Sequence, residues 1–321
     1  MNPYKCRRDT GPMPGVAIVV AAAACLSLNA HARSEAPHGP PSAQGRGHET
    51  APEMKSGAGR MTIHTAPTAL LAGEPGHWAI RLTDPSNGGP VTSLTIEHER
   101  PVHLYVVSAD LSWFNHLHPV QQGESLVVTA TLPRAGTYHV FADYTPSGQA
   151  RTVARVDLAT GAARPIPTSV RPEIDVPNAN GWIVRRVRAA PEGRPDEVQR
   201  PAYLVALMPM PRAPRSGAAA MLHFQIRDAA GKLVTDLEPY LGALGHAVVL
   251  STDVQQLLHV HPMGENTNGD GAVVFHVTFP GPGLYKIWGQ FKHRSLIITA
   301  PFVLHVAGED SPSQHQSGHG H

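Results

Sequence analysis

The chain has 321 residues, with 26 Lys and Arg against 25 Asp and Glu, 20 His and two Cys, and a formal net charge of +1 at pH 7. A balance this even, with no basic stripe, carries no electrostatic footprint for nucleic acid. Histidine is the outlier, and it directs attention to metal chemistry.

Lys5, Arg7 and Arg8 precede an apolar and small-residue run from Val16 to Leu28, and Ala30-His31-Ala32 supplies a small-x-small cleavage site. Residues 1–32 are therefore expected to be a signal peptide cleaved after Ala32, which places the mature chain in the periplasm or outside the cell. The run is short of the ~18 residues of a comfortable span, so contact with the membrane is expected only through an uncleaved signal or anchor. Cys25 could take a lipid, although Ala22-Ala23-Ala24 is a poor lipobox. Cys6 and Cys25 leave with the signal, so disulfides, thiolate catalysis, iron–sulfur clusters and zinc fingers are excluded from the mature chain. Residues 33–60, rich in Pro, Gly and Ser, read as a disordered tether.

Beyond the tether the signals are those of strands. His77-Trp78-Ala79-Ile80-Arg81-Leu82 alternates, turn clusters such as Asp84-Pro85-Ser86-Asn87-Gly88-Gly89 follow at short intervals, and no apolar period of 3.6 persists. The chain also repeats itself. His103, His116, His118 and Pro119 recur as His246, His259, His261 and Pro262 at an offset of 143 residues. Leu132-Pro133-Arg134-Ala135-Gly136-Thr137-Tyr138 answers Phe279-Pro280-Gly281-Pro282-Gly283-Leu284-Tyr285 at an offset of 147, with the extra residues assigned to the loop Gly264 to Gly271. The expected fold is all-β: two tandem immunoglobulin-like β-sandwich domains over residues 61–158 and 202–306. A linker with a possible strand joins them over 159–201, and 307–321 is a His-rich disordered tail containing His315, His319 and His321.

Each half holds His, twelve residues, then His-x-His-Pro. Residues two apart on a strand share a face, so His116 and His118 are neighbours, as are His259 and His261. A hairpin centred between Asp110 and Leu111 sets His103 opposite His118 and diagonal to His116. The same centre between Asp253 and Val254 does this for His246 and His261. Two metal sites are expected, from His103, His116 and His118 and from His246, His259 and His261, each near a rim and open to the ion. Imidazole sets of this kind suit copper or zinc. His139 and Asp143 could complete the first site, where the second half has Lys286 and Gln290; Met208, Met210 and Met263 could add soft ligands but fit core packing better. His64, His77, His98, His223, His276, His293 and His305 lack this spacing and read as surface or packing residues.

The segments Glu97 to Leu104 with Trp113 to Pro119, and Leu237 to His246 with His259 to Pro262, resemble the YtkA-like group of exported bacterial proteins. The resemblance implies β-sandwich modules in metal-handling contexts, copper especially, without catalysis. No Glu stands at a fixed spacing to the histidines as a general base and no Gly-x-Ser-x-Gly occurs, so a non-enzymatic protein is expected. Its partners would be the metal ion and another periplasmic or membrane metal-handling protein, with a structural or adhesive envelope module as the alternative. Separate domains imply independent sites, and neutral imidazole ligands imply that affinity falls as pH drops through about 6.

Overall fold

A computed structural model describes residues 59–84, 86–161, 173–262 and 271–308, with no helix among them. The signal peptide, the tether to residue 58, Met263 with most of the loop Gly264 to Gly271, and the tail histidines from residue 309 lie outside the described residues. All the described residues fall in one compact unit, His48–His321.

The first domain stacks two four-stranded antiparallel sheets. One has the order β1 (Arg60–Ala66), β2 (Pro75–Thr83), β6 (Ser125–Thr131), β5 (Val120–Gln122); the other has β4 (Phe114–Leu117), β3 (Val102–Ser108), β7 (Gly136–Tyr144), β8 (Thr152–Thr160). Read as A-B-E-D over C′-C-F-G, this is the immunoglobulin-type arrangement. Tyr138 makes the corner typical of that fold, its hydroxyl donating to the Arg134 carbonyl at 2.8 Å; Tyr285 repeats the corner on the Gly281 carbonyl at 2.8 Å.

The second domain is a single eight-stranded sheet, β13 (Leu257–Val260), β12 (His246–Ser251), β15 (Gly283–His293), β16 (Leu296–Val306), β9 (Ile183–Ala190), β10 (Gln199–Met210), β11 (Ala219–Arg227), β14 (Val273–Thr278). Only Ile297 and Ile298 of β16 pair with β9, and an isolated bridge joins Pro262 to Phe275. The sheet thus folds over at β9 into a second sandwich, with Val205, Phe224, Phe275, Ile287 and Phe302 in one core. The stretch between the repeats supplies β9.

Burial explains two kinds of strand sequence. β2 and β11 alternate because one face packs inward while the other is open. Every residue of β3 and of β12 is buried, and their sequences, VHLYVVS and HAVVLS, do not alternate. One face of each meets its own sandwich core; the other meets the opposite domain. Tyr105, Val107, Leu111, Phe114, Phe141 and Val153 of the first domain form one apolar cluster with Val248, Leu250, Val254, Leu257 and Trp288 of the second. Phe114 stacks on Trp288 with centroids 4.6 Å apart and planes at 15°. The two domains are therefore packed sheet against sheet.

Trp288→Ala should then destabilise the whole chain by about 3–5 kcal/mol. Chemical denaturation followed by circular dichroism should keep one cooperative transition at a lower midpoint. An unshifted midpoint for the first domain would contradict a shared core.

Candidate metal centre

Both hairpins take the expected register, Tyr105 facing His116 and Val248 facing His259. Their turns explain it. Ser108 and Ser251 hydroxyls donate to Asp110 and Asp253, whose carboxylates accept the backbone N–H of Ser112 at 3.0 Å and of Gln255 at 3.1 Å. Leu111 and Val254 adopt left-handed φ values of 57° and 65° to close the loops. These side-chain bonds fix turn length, and turn length fixes which face each histidine occupies.

In the first domain Nδ1 of His103 lies 3.1 Å from Nε2 of His116, which lies 3.1 Å from Nε2 of His118. In the second, Nδ1 of His246 is 3.0 Å from Nε2 of His259, which is 3.0 Å from Nε2 of His261. Each set of three ligand atoms falls within 4.8 Å. Nitrogens bound at ~2.0–2.1 Å to one tetrahedral ion would stand roughly 3.3 Å apart.

The outward-facing nitrogens show where the protons are. Nε2–H of His103 donates to the Glu97 carbonyl at 3.1 Å, and Nδ1–H of His118 to the Glu192 carboxylate at 2.9 Å. Nδ1–H of His116 donates at 2.8 Å to Oε1 of Gln290, an amide oriented by its own Nε2–H to the Thr299 hydroxyl. A neutral imidazole has one N–H. Three neutral rings would spend that N–H outward and leave three lone pairs facing one another. They repel unless a cation sits among them. The second triad does the same at two positions, His246 donating to the Tyr240 carbonyl at 2.7 Å and His259 to Asp143 at 3.1 Å. Outer acceptors that set the tautomer are the usual support of metal-binding histidines.

Two of those acceptors cross between domains. Gln290 of β15 orients His116 of the first domain, and Asp143 of β7 orients His259 of the second. These positions match in the repeat, facing His246 and His103 respectively. Asp143 therefore does not complete the first triad; it supports the second, held by the Arg151 guanidinium. His139 binds Asp157 at 2.8 Å instead. Lys286 lies on β15 opposite Leu250, and Met208 and Met210 lie on β10.

The open rim position and the wide separation expected of the sites are corrected by the same packing. His103, His116, His246 and His259 are buried, and only His118 and His261 are part-exposed. His103 and His259 approach to 4.8 Å between ring centroids, so the triads touch across the interface. His98, read as surface or packing, stacks on His261 at 3.4 Å. Glu192 carries no sequence signal, since its loop after β9 has no spacing relation to His118; Asn115 holds that loop by donating to the Gly193 carbonyl at 2.9 Å.

The family model described as a domain of unknown function, DUF8832, matches residues 56–160 and 200–308. The duplication read from the sequence is thus shown, while the YtkA-like affiliation stays a resemblance. No curated protein matches the chain. Among solved structures, an Escherichia coli adhesin, FdeC, is similar at 16% identity and TM-score 0.23, over 78% of this chain. The chain spans 65% of that adhesin's length. A carbohydrate-binding module of the β-sandwich superfamily is similar at 11% identity and TM-score 0.20, over 77% of this chain and 98% of its own. An endo-fucoidan hydrolase of glycoside hydrolase family 107 follows at 12% identity and TM-score 0.19, over 78% and 44%. Scores this low carry no argument; the fold rests on the strands above.

Burial holds the imidazoles neutral. It lowers His103 to about 4 and His246 to about 3, and lowers His116, His259, His261 and His98 as well. Proton competition for these ligands in the folded chain therefore begins at lower pH than the expected value near 6. Folding pays for this in acid: the unfolded chain takes up protons at ~6.5, the folded chain only near the lowered values. Metal-free protein should lose stability as pH falls from about 6.5 toward 4, by up to about 1.4 kcal/mol per unit for each of His103 and His246. Denaturant midpoints at pH 7.5, 6 and 5 measure it; a midpoint that does not fall would contradict neutral burial.

Proposed function

The chain belongs to the DUF8832 family in two copies, and on that premise we propose that it is an exported, periplasmic, non-enzymatic protein that binds transition metal, copper before zinc. One ion is held by His103, His116 and His118 and a second by His246, His259 and His261. The protein buffers the ion or passes it to another metal-handling protein of the envelope. The observation that carries this reading is the set of three ring nitrogens of the first triad gathered within 4.8 Å, each ring with an acceptor at its opposite nitrogen. Three neutral imidazoles without thiolate suit copper(II) or zinc, and for a given nitrogen site copper(II) binds the more tightly. Export is supported by the N-terminal run and the Ala30-His31-Ala32 cleavage site.

Protein incubated with copper(II) and passed through gel filtration should retain two equivalents. Retention of none would leave the structural or adhesive reading. Gln290→Leu should weaken the first site by 10–100-fold although residue 290 belongs to the second domain, because it removes the acceptor that orients His116. Equal loss at both sites, or none, measured by chelator competition, would contradict the crossed support.

A further inference from the structure

We infer that His98 of the first domain is a fourth ligand of the second triad, an assignment that rests on the metal-binding reading above. His98 sits on the two-residue turn Glu97–Arg100, closed by a hydrogen bond of 3.0 Å in each direction, with φ of 47° at His98 and 65° at Glu99. The repeat builds the same turn from Tyr240 to Ala243, with φ of 53° at Leu241 and 76° at Gly242. In both, the carbonyl of the first turn residue accepts Nε2–H of the first triad histidine. The turn is thus a shared part of the two sites. Its second residue differs in kind: Leu241 is buried with Tyr240 and Ile297, whereas His98 is half-buried and reaches the other domain.

The His98 ring lies 3.4 Å from that of His261 with planes at 23°, 5.8 Å from His246 and 6.0 Å from His259. Three imidazoles leave one place open on a four-coordinate ion. Beside the second site stands a fourth imidazole from across the interface, its nitrogens outside the three gathered within 4.8 Å; at the matching turn position the repeat has Leu241. Rings within the second triad stand 4.3, 4.7 and 5.2 Å apart. The His98–His261 pair is closer than any of these, so it is a packing stack, and ion binding opens it to bring a His98 nitrogen onto the metal. The second site is then closed, with four imidazoles drawn from two domains, and retains its ion. The first keeps an open position and exchanges.

The test uses the full chain loaded with copper(II). His118→Ala isolates the second site and His261→Ala the first. His98→Leu should lower the second site's affinity at least tenfold by chelator competition and change its electron paramagnetic resonance from a four-nitrogen to a three-nitrogen pattern, leaving the first site within twofold. The chain already houses Leu with left-handed φ at this turn position in its other half, so the turn itself tolerates the variant, and circular dichroism checks that it folds. His98→Phe keeps a flat ring on His261 but offers no nitrogen, and should behave as the Leu variant does. If the Phe variant keeps native affinity and spectrum, His98 is a lid and the inference is overturned; unchanged binding in the Leu variant overturns it too. Absence of copper from the unsubstituted chain would instead overturn the reading on which it rests.

Discussion

Burial of one strand on both faces is the constraint from which the rest follows. β3 and β12 each pack one face into their own sandwich and the other against the opposite domain, through a cluster that mixes residues of both halves. A strand with one wet face could carry His103 or His246 only as an exposed side chain. With both faces covered, every polar group at the start of these strands must find a partner, since an unsatisfied buried group costs about 1–3 kcal/mol. The histidines meet this outward, through the Glu97 and Tyr240 carbonyls, and turn their lone pairs inward. Tyr105 shows the requirement left unmet. Its hydroxyl is buried without a hydrogen-bond partner among the described residues, and its ring lies 4.7 Å from that of His116 and 5.5 Å from that of His259 between centroids.

The turns and the interface divide the work of building the centre. Asp110 and Asp253 set the hairpins, and local bonding is enough to align three imidazoles in each half. Rotamer and tautomer are settled by groups distant in sequence: Gln290 for His116, Asp143 for His259, Glu192 for His118. Packing that brings the domains together therefore also completes the ligand environment.

Local features were legible in the sequence and long-range ones were not. The duplication, the β class and the hairpin centres follow from spacing and turn chemistry, which act over a dozen residues. The runs Leu104 to Val107 and Ala247 to Leu250 do not alternate, but four apolar residues neither establish a second covered face nor name what covers it. Asp143 and Gln290 were visible as matched positions; that each serves the opposite half depends on docking geometry. His98 gave one faint sign, standing where the repeat has Leu241. Glu192 gave none.

The crossed support also bears on how such a chain could arise. A single copy of this domain paired with its twin about a two-fold axis would place the same residue behind both central histidines, because symmetric interfaces repeat every contact. Joined in one chain, the halves are free to diverge at the same interface position, as Asp143 and Gln290 have, and at the same turn position, as His98 and Leu241 have. Fusion turns a centre that symmetry would hold to two identical halves into one whose halves can specialise.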